Sequence, residues 1–217
     1  MPSRWAKRRR SEHYYRRAKR EGYRSRAVYK LIQIDEEFGI LDNARAVLDL
    51  GSSPGSWCQY VRERVPDAKI YAVDKVRMRR IEGVRFFRGD FLDEDFRNFL
   101  IEKIVEESGG VDVILSDMAP NISGKSSYDH ARSVELAEKI LEFAPYVLRM
   151  RGNAVVKVFD GDMLKSLRNR YEGYFLFVRL RKPRASLKSS AEIYIVAKDF
   201  RFSNIPGRRS SSTITTG

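Results

Sequence analysis

Cysteine is almost missing from this 217-residue chain. A single thiol, Cys58, permits neither an internal disulfide nor a cysteine-cluster metal site. Histidine is nearly as scarce, and His13 and His130 have no metal-like spacing, so no resident metal is expected. No apolar run approaches the roughly 20 residues of a membrane span. The N-terminus is basic and has no apolar h-region, which excludes a secretory leader. The expected compartment is therefore the cytoplasm, with no membrane partner. The G-x-G-x-x-G of a dinucleotide site is also absent, which argues against a nicotinamide-dependent dehydrogenase.

What is present is a globular, strongly basic protein. Hydrophobic residues make up 42% of the chain and twelve are Phe, too many for a disordered polypeptide. The length suits one domain with short extensions. Net charge is +13, and it is unevenly placed: residues 1–30 hold twelve Lys/Arg against only Glu12 and Glu21. A basic segment of that kind suggests a polyanion, nucleic acid before membrane. Tyr14, Tyr15 and Tyr23 are interleaved with the arginines, and bases stack on such rings. The bland alternative is a solvated tail.

The chain is organised around Val47–Tyr60. Val47-Leu-Asp-Leu reads as a buried strand, Gly51–Gly55 as a tight turn, and Ser56 onward as a helix. Strand, glycine turn and helix form a nucleotide site in open α/β sheets, because backbone approaches the ligand and helix N–H groups face it. Residues 1–22 are mostly basic and helical from about Ser11, a plausible N-cap. Ser25–Phe38 has the three- and four-residue spacing of an amphipathic helix. Further strands are expected at Lys69–Asp74, Val84–Phe87, Val111–Ser116, Asn153–Phe159, Tyr174–Leu180 and Glu192–Ala197. Helices are expected at Asp93–Glu107, Asp129–Met150, kinked or divided by Pro145, and Asp160–Tyr171. Residues 201–217 read as a flexible tail. The pattern predicts an α/β fold: about seven strands, a mostly parallel sheet and an antiparallel strand near the end.

Several ionisable residues fall at the edges of apolar segments. Asp74, Asp90 and Asp117 stand at the carboxyl ends of strands, where such sheets place ligands, and Asp74 is positioned to bind ribose hydroxyls. Lys30 sits on an amphipathic helix and Glu192 opens a strand. Lys157 interrupts an apolar strand, which is costly unless its ammonium meets carboxylates, reaches a cleft or turns to solvent at an edge.

With these residues in place, the sequence resembles the FtsJ/RrmJ (RlmE) family of ribosomal RNA 2'-O-methyltransferases, from about Tyr23 to Lys198. The motifs are Ser25-Arg-Ala-Val-Tyr-Lys-Leu, Asp49-Leu-Gly-Ser-Ser-Pro-Gly-Ser-Trp-Cys-Gln-Tyr, Gly89-Asp-Phe, Ser116-Asp-Met-Ala-Pro-Asn-Ile-Ser-Gly, Val155-Val-Lys-Val-Phe, Arg181-Lys-Pro and Ser190-Ala-Glu-Ile-Tyr-Ile-Val. Ser52-Ser53 and Cys58 are mild departures from the family pattern. The resemblance implies a Rossmann-like S-adenosylmethionine-dependent methyltransferase fold with helices on both faces of a seven-stranded, mostly parallel sheet containing one antiparallel strand. It implies S-adenosylmethionine as methyl donor, held by Gly55, Trp57, Asp74, Asp90 and Asp117, although Trp57 is also explained as core packing. The implied catalytic tetrad is Lys30, Asp117, Lys157 and Glu192, with Lys157 as base. The implied acceptor is a ribose, a uridine by expectation, in large-subunit ribosomal RNA. RNA capture would rest on residues 1–22 and the Arg181–Lys188 loop, flanking a methyltransferase domain over 23–200, and a monomer is expected. The rivals are a tRNA anticodon-loop methyltransferase, a cap-methylating relative, and a non-catalytic RNA-binding or assembly protein.

Overall fold

The computed structural model describes residues 4–187, 189–202 and 204–205, with side chains from residue 12 onward. Seven strands form one sheet: β1 (Ala46–Leu50), β2 (Lys69–Asp74), β3 (Val84–Arg88), β4 (Val111–Ser116), β5 (Leu148–Phe159), β6 (Phe175–Arg181) and β7 (Glu192–Phe200). Their order is β3-β2-β1-β4-β5-β7-β6. β7 enters between β5 and β6 and runs antiparallel to both, while the remaining pairs are parallel. The described helices are α1 (Arg4–Arg20), α2 (Val28–Phe38), α3 (Ser56–Arg64), α4 (Glu94–Ser108), α5 (Ser126–Val147) and α6 (Leu164–Tyr174). The α/β sheet with one antiparallel strand expected from the pattern is the one that forms.

Side chains alternate along a strand, so each central strand supplies two cores. Ala46, Leu48, Leu50, Ile114, Val156, Val158 and Ile195 pack with residues of α4, α5 and α6. Val47, Val113, Leu115, Val155, Tyr194 and Val196 pack with residues of α2 and α3. This two-sided burial explains why the central strands are almost continuously apolar. The same period of two sets Asp49 on the face of Val47, Lys157 on the face of Val155, and Glu192 on the face of Tyr194. All three therefore lie on the α2/α3 side.

Helix ends obey local chemistry. Asp93 caps α4, its Oδ1 accepting from the Phe96 N–H at 3.0 Å, and Gly109 closes the helix at φ 65°. Several boundaries differ from expectation, and three stand out. α1 begins at Arg4, leaving Ser11 inside the helix rather than at its cap; no Gly or Pro interrupts Trp5–Arg10. α5 spans Ser126–Val147, with Pro145 in its last turn, and Leu148 starts β5 directly. Pairing of Leu148 with Val111, and an ion pair from Arg149 to Asp112 at 2.7 Å, draw this segment into the sheet.

The third difference lies after β5, where α6 begins at Leu164 rather than Asp160. His130 of α5 holds the intervening turn. Its Nδ1 donates to the Phe159 carbonyl at 2.8 Å, and its Nε2 accepts from the Met163 N–H at 3.1 Å. A side chain at Gly161 would meet that imidazole at 2.6 Å. His130 is thus a packing and turn-capping residue, in line with its place near a helix start.

The described segments flanking the sheet are more firmly tied than the sequence suggests. α1 is held to α2 by buried Ala18, by Tyr29 Oη donating to Glu21 at 2.8 Å, and by Arg17 over the Tyr29 ring at 4.6 Å. At the other end, the Arg201 N–H donates to the Tyr174 carbonyl and the Asn204 N–H to the Pro145 carbonyl. Ile205 is buried. The flexibility predicted for 201–217 otherwise falls on Ser203 and residues 206–217, outside the described residues.

Replacing His130 with Ala leaves the Phe159 carbonyl and Met163 N–H without these partners. The His130→Ala variant is expected to lose about 2 kcal/mol of unfolding free energy, measured by urea titration; an unchanged midpoint would contradict the capping role.

Candidate active site

The carboxyl ends of β1, β2 and β4 border a cleft of about 650 Å³, a volume suited to a cofactor. Gly51, Ser53, Asp74, Asp90 and Asp117 line it, together with the loop from Met118 to Ser123 and residues Tyr128 and Arg132 of α5. Gly51 has φ 75°, and a Cβ there would meet Met118 Cγ at 2.7 Å and its backbone nitrogen at 2.9 Å. Only glycine lets the turn and the loop after β4 approach this closely.

The turn is braced from below. Asp74 accepts from the Ser53 N–H at 2.9 Å and the Val76 N–H at 2.7 Å. Asp90 accepts from the Leu92 N–H at 2.9 Å and pairs with Lys75 at 2.7 Å. Burial works against the Asp90 charge, but Lys75 and the Leu92 N–H outweigh it and hold the carboxyl below its ordinary range. Asp129 fastens the far wall: its carboxylate accepts from the N–H and hydroxyl of Ser123 and from the Gly124 N–H.

Gly55 and Trp57 do not line the cleft. Gly55 takes φ 108° before α3, and a Cβ there would meet Ile81, Met78 and Arg24. Trp57 is 3% exposed, lies in the α2/α3 core beside Tyr194, and donates from Nε1 to the Ala27 carbonyl at 2.9 Å. Its side chain takes the packing role. The first N–H groups of α3 remain the part of this helix available to a ligand.

Beside the cleft the structure brings together Lys30, Asp117, Lys157 and Glu192. Asp117 Oδ1 stands 3.0 Å from Lys157 Nζ and 3.8 Å from Lys30 Nζ. Lys157 Nζ also donates to the Asp117 backbone carbonyl. Lys30 Nζ donates to Glu192 Oε2 at 2.6 Å. All four side chains are less than one-fifth exposed. The Lys157 of the apolar strand is therefore turned to the Asp117 carboxylate, as its burial requires. Burial opposes the charge of Asp117, yet the Lys157 and Lys30 ammonium groups, with a hydrogen bond from Tyr194, keep its carboxyl below the usual range.

Two participants were not singled out in the sequence. Tyr194 Oη donates to Asp117 Oδ1 at 2.7 Å, and burial followed by the nearby Asp117 and Glu192 charges pushes its phenol well up. Ser186 Oγ donates to Glu192 Oε1 at 2.7 Å. Tyr194 was within reach of sequence reasoning, since it lies two residues beyond Glu192 and a strand repeats every second residue. Ser186 lies in a loop, which has no such period.

Asp49 is buried beneath the glycine turn. Cys58 Sγ donates to its Oδ2 at 3.0 Å, while Oδ1 is buried without a hydrogen-bond partner. Burial, eased by the Cys58 bond and reinforced by the Asp117 and Asp74 charges, pushes this carboxyl up to about 7. No group of His, Cys, Asp and Glu among the described residues is arranged to hold a metal ion. No described helix is long and apolar enough to cross a membrane.

Comparison with known proteins gives this geometry its context. The model of the FtsJ-like methyltransferase family matches residues 23–200. A ribosomal RNA large subunit methyltransferase E from Archaeoglobus fulgidus is 43% identical over 192 residues, spanning 88% of this chain and 97% of the relative. One from an Azoarcus species is 44% identical over 189 residues, spanning 87% and 91%. A crystal structure from Plasmodium falciparum, described as a ribosomal RNA methyltransferase, superposes with a TM-score of 0.74 at 34% identity, covering 82% of this chain and 98% of that one.

The raised Asp49 carboxyl makes stability depend on pH. The folded state holds this proton from about 3.8 to about 7, where the unfolded chain has lost it, so Asp49's contribution falls as pH rises through that window. The Asp49→Asn variant is expected to remove that fall. Melting temperatures of both proteins from pH 4 to 8 should therefore converge at low pH and separate, variant above parent, toward pH 8; parallel curves would contradict a raised carboxyl.

Proposed function

This chain belongs to the FtsJ-like methyltransferase family, and on that premise we propose that it uses S-adenosylmethionine to methylate a ribose 2'-hydroxyl, on a uridine, in large-subunit ribosomal RNA. The observation that carries this reading is the ion cluster of two lysines and two carboxylates that adjoins a nucleotide-sized cleft through Asp117. Asp74 would hold ribose hydroxyls of the donor, Asp90 the adenine end and Asp117 the methionine end. The backbone N–H groups at Gly55–Trp57, two residues along the chain from the lining Ser53, would extend the pocket. When bound, the donor supplies a methyl group already activated on a sulfonium.

The residues of the chain then have to align an alcohol and take its proton. Lys157 is assigned as general base. Asp117 occupies two of its donor directions, through Oδ1 and the backbone carbonyl, which fixes the ammonium and leaves its third direction for the acceptor hydroxyl. A lysine accepts a proton only when neutral, and Lys30 is the second amine of the cluster, held by Glu192. Asp117 and Glu192 orient the two amines, and Tyr194 fixes Asp117 in turn.

The acceptor side is basic. α1 presents Arg16 and Arg20 with side chains 76% and 78% exposed, and the loop after β6 carries Lys182 and Arg184. Phosphate contacts of this kind supply affinity rather than sequence choice. Because α1 packs on Tyr29 through its buried Ala18, charge-removing substitutions are a cleaner probe of its role than deletion of residues 1–22.

Labelled methyl donor should mark large ribosomal subunits or their RNA, with the label mapped to a ribose. Label appearing only in tRNA would place the protein with the anticodon-loop enzymes instead, and no label in any RNA would favour a non-catalytic role. The Lys157→Ala variant is expected to lose about a thousandfold in kcat with donor affinity retained; full activity would remove Lys157 as base. The Arg16→Ala/Arg20→Ala double variant is expected to bind RNA more weakly and with a shallower slope of log Kd against log salt, by up to about two counterions. An unchanged slope would show that α1 does not touch phosphate.

A further inference from the structure

Glu192 is bonded on both sides. One carboxylate oxygen accepts from Lys30 at 2.6 Å and the other from Ser186 at 2.7 Å. Both Glu192 and Ser186 are buried, at 8% and 3% exposure. Ser186 belongs to the basic loop after β6, held in a turn by its own N–H, which donates to the Pro183 carbonyl at 3.0 Å.

The adjoining residue ties that loop to the N-terminal helix. The Ala185 N–H donates to Gln33 Oε1 at 3.1 Å, and Gln33 Nε2 donates to Tyr14 Oη of α1 at 3.0 Å. Ala185 packs in one apolar cluster with Ala18, Val28 and Tyr29. Gln33 and Lys30 are three residues apart on α2 and so share a face. An uninterrupted path thus runs from α1 through Gln33 and the loop to Ser186, Glu192, Lys30 and Asp117.

We propose, resting on the methyl-transfer reading above, that Ser186 is a positioning residue coupling the seating of the basic loop to the alignment of Lys30. The two basic elements expected to contact the acceptor are α1 and this loop, and they meet at Gln33. Phosphate contacts that press on either element act on the turn that carries the Ser186 hydroxyl. With that hydroxyl in place, Glu192 has a donor on each oxygen and a single orientation. Without it, a buried carboxylate oxygen lacks a partner, the carboxylate rotates to find one, and Lys30 follows. A loop displaced from this seat would leave the second lysine of the tetrad out of register.

The test compares the full-length protein with Ser186→Ala, Ser186→Thr and Gln33→Leu variants. At saturating RNA, kcat of Ser186→Ala is expected to fall about tenfold while the donor Kd stays unchanged, and Ser186→Thr, which keeps the hydroxyl, should recover most of the loss. Gln33→Leu leaves Ser186 intact but cuts the tether, and should also lower kcat without moving the donor Kd. Wild-type kcat in Ser186→Ala, a deficit that Ser186→Thr does not recover, or a deficit confined to donor Kd would overturn the proposal. Wild-type kcat in Gln33→Leu would overturn the coupling to the loop. The Lys30 Nζ resonance of the free protein, assigned with a Lys30→Arg variant, provides a readout independent of activity. It should shift in Ser186→Ala, and an unmoved resonance would sink the positioning role. Absence of RNA methylation by the wild-type protein would instead defeat the functional reading.

Discussion

The Asp117 carboxylate is the constraint on which the rest of the site depends. Two ammonium groups stand on the same side of the sheet, each largely out of water, and like charges so placed repel unless a shared anion intervenes. Asp117 Oδ1 is that anion, 3.0 Å from Lys157, 3.8 Å from Lys30 and hydrogen-bonded by Tyr194. Its own charge survives burial because of those neighbours. Removing any one of them would leave another group buried without compensation, so the cluster is held together as a unit rather than as separate pairs.

The position of Asp117 follows from the sheet. β4 lies beside β1, and the Asp117 N–H donates to the Leu50 carbonyl at the point where the two strands end. One residue further, Met118 passes over Gly51 at a distance no larger side chain would allow. The same strand ends therefore shape the cleft and set the residue that organises the lysines. On the proposed reading, placing both at one edge would bring a methyl donor and a proton acceptor within reach of a common substrate atom, as methyl transfer to an alcohol demands.

Basic charge enters this frame through packing as well as through solvent. α1 is docked on α2 by Tyr14, Ala18 and Glu21, and the loop after β6 is docked on α2 through Ala185. α2 is also the helix that carries Lys30. Three elements far apart in sequence meet on one helix, so the proposed capture of a polyanion and the alignment of the tetrad would share a mechanical support.

Much of this was legible in residues 23–200. Alternation and apolar runs identified the seven strands, and the Gly51–Gly55 turn and the strand-end acids Asp74, Asp90 and Asp117 marked the cleft. A lysine inside the apolar run Val155–Phe159 announced that a carboxylate had to be near. Helix ends were less legible, because tertiary pairing competes with local preference: Leu148–Met150 has helical character yet joins β5, and His130 delays α6 by four residues. Trp57 could be read as ligand contact or core, and only packing against Tyr194 and the Ala27 carbonyl placed its side chain in the core. Sequence alone determined which residues bear charge and, through the period of two, which face of a strand they share. The tertiary structure decided which of those charges meet, because Lys30, Asp117, Lys157, Ser186 and Glu192 come from separate segments whose juxtaposition depends on strand order and loop docking, for which a linear pattern has no term.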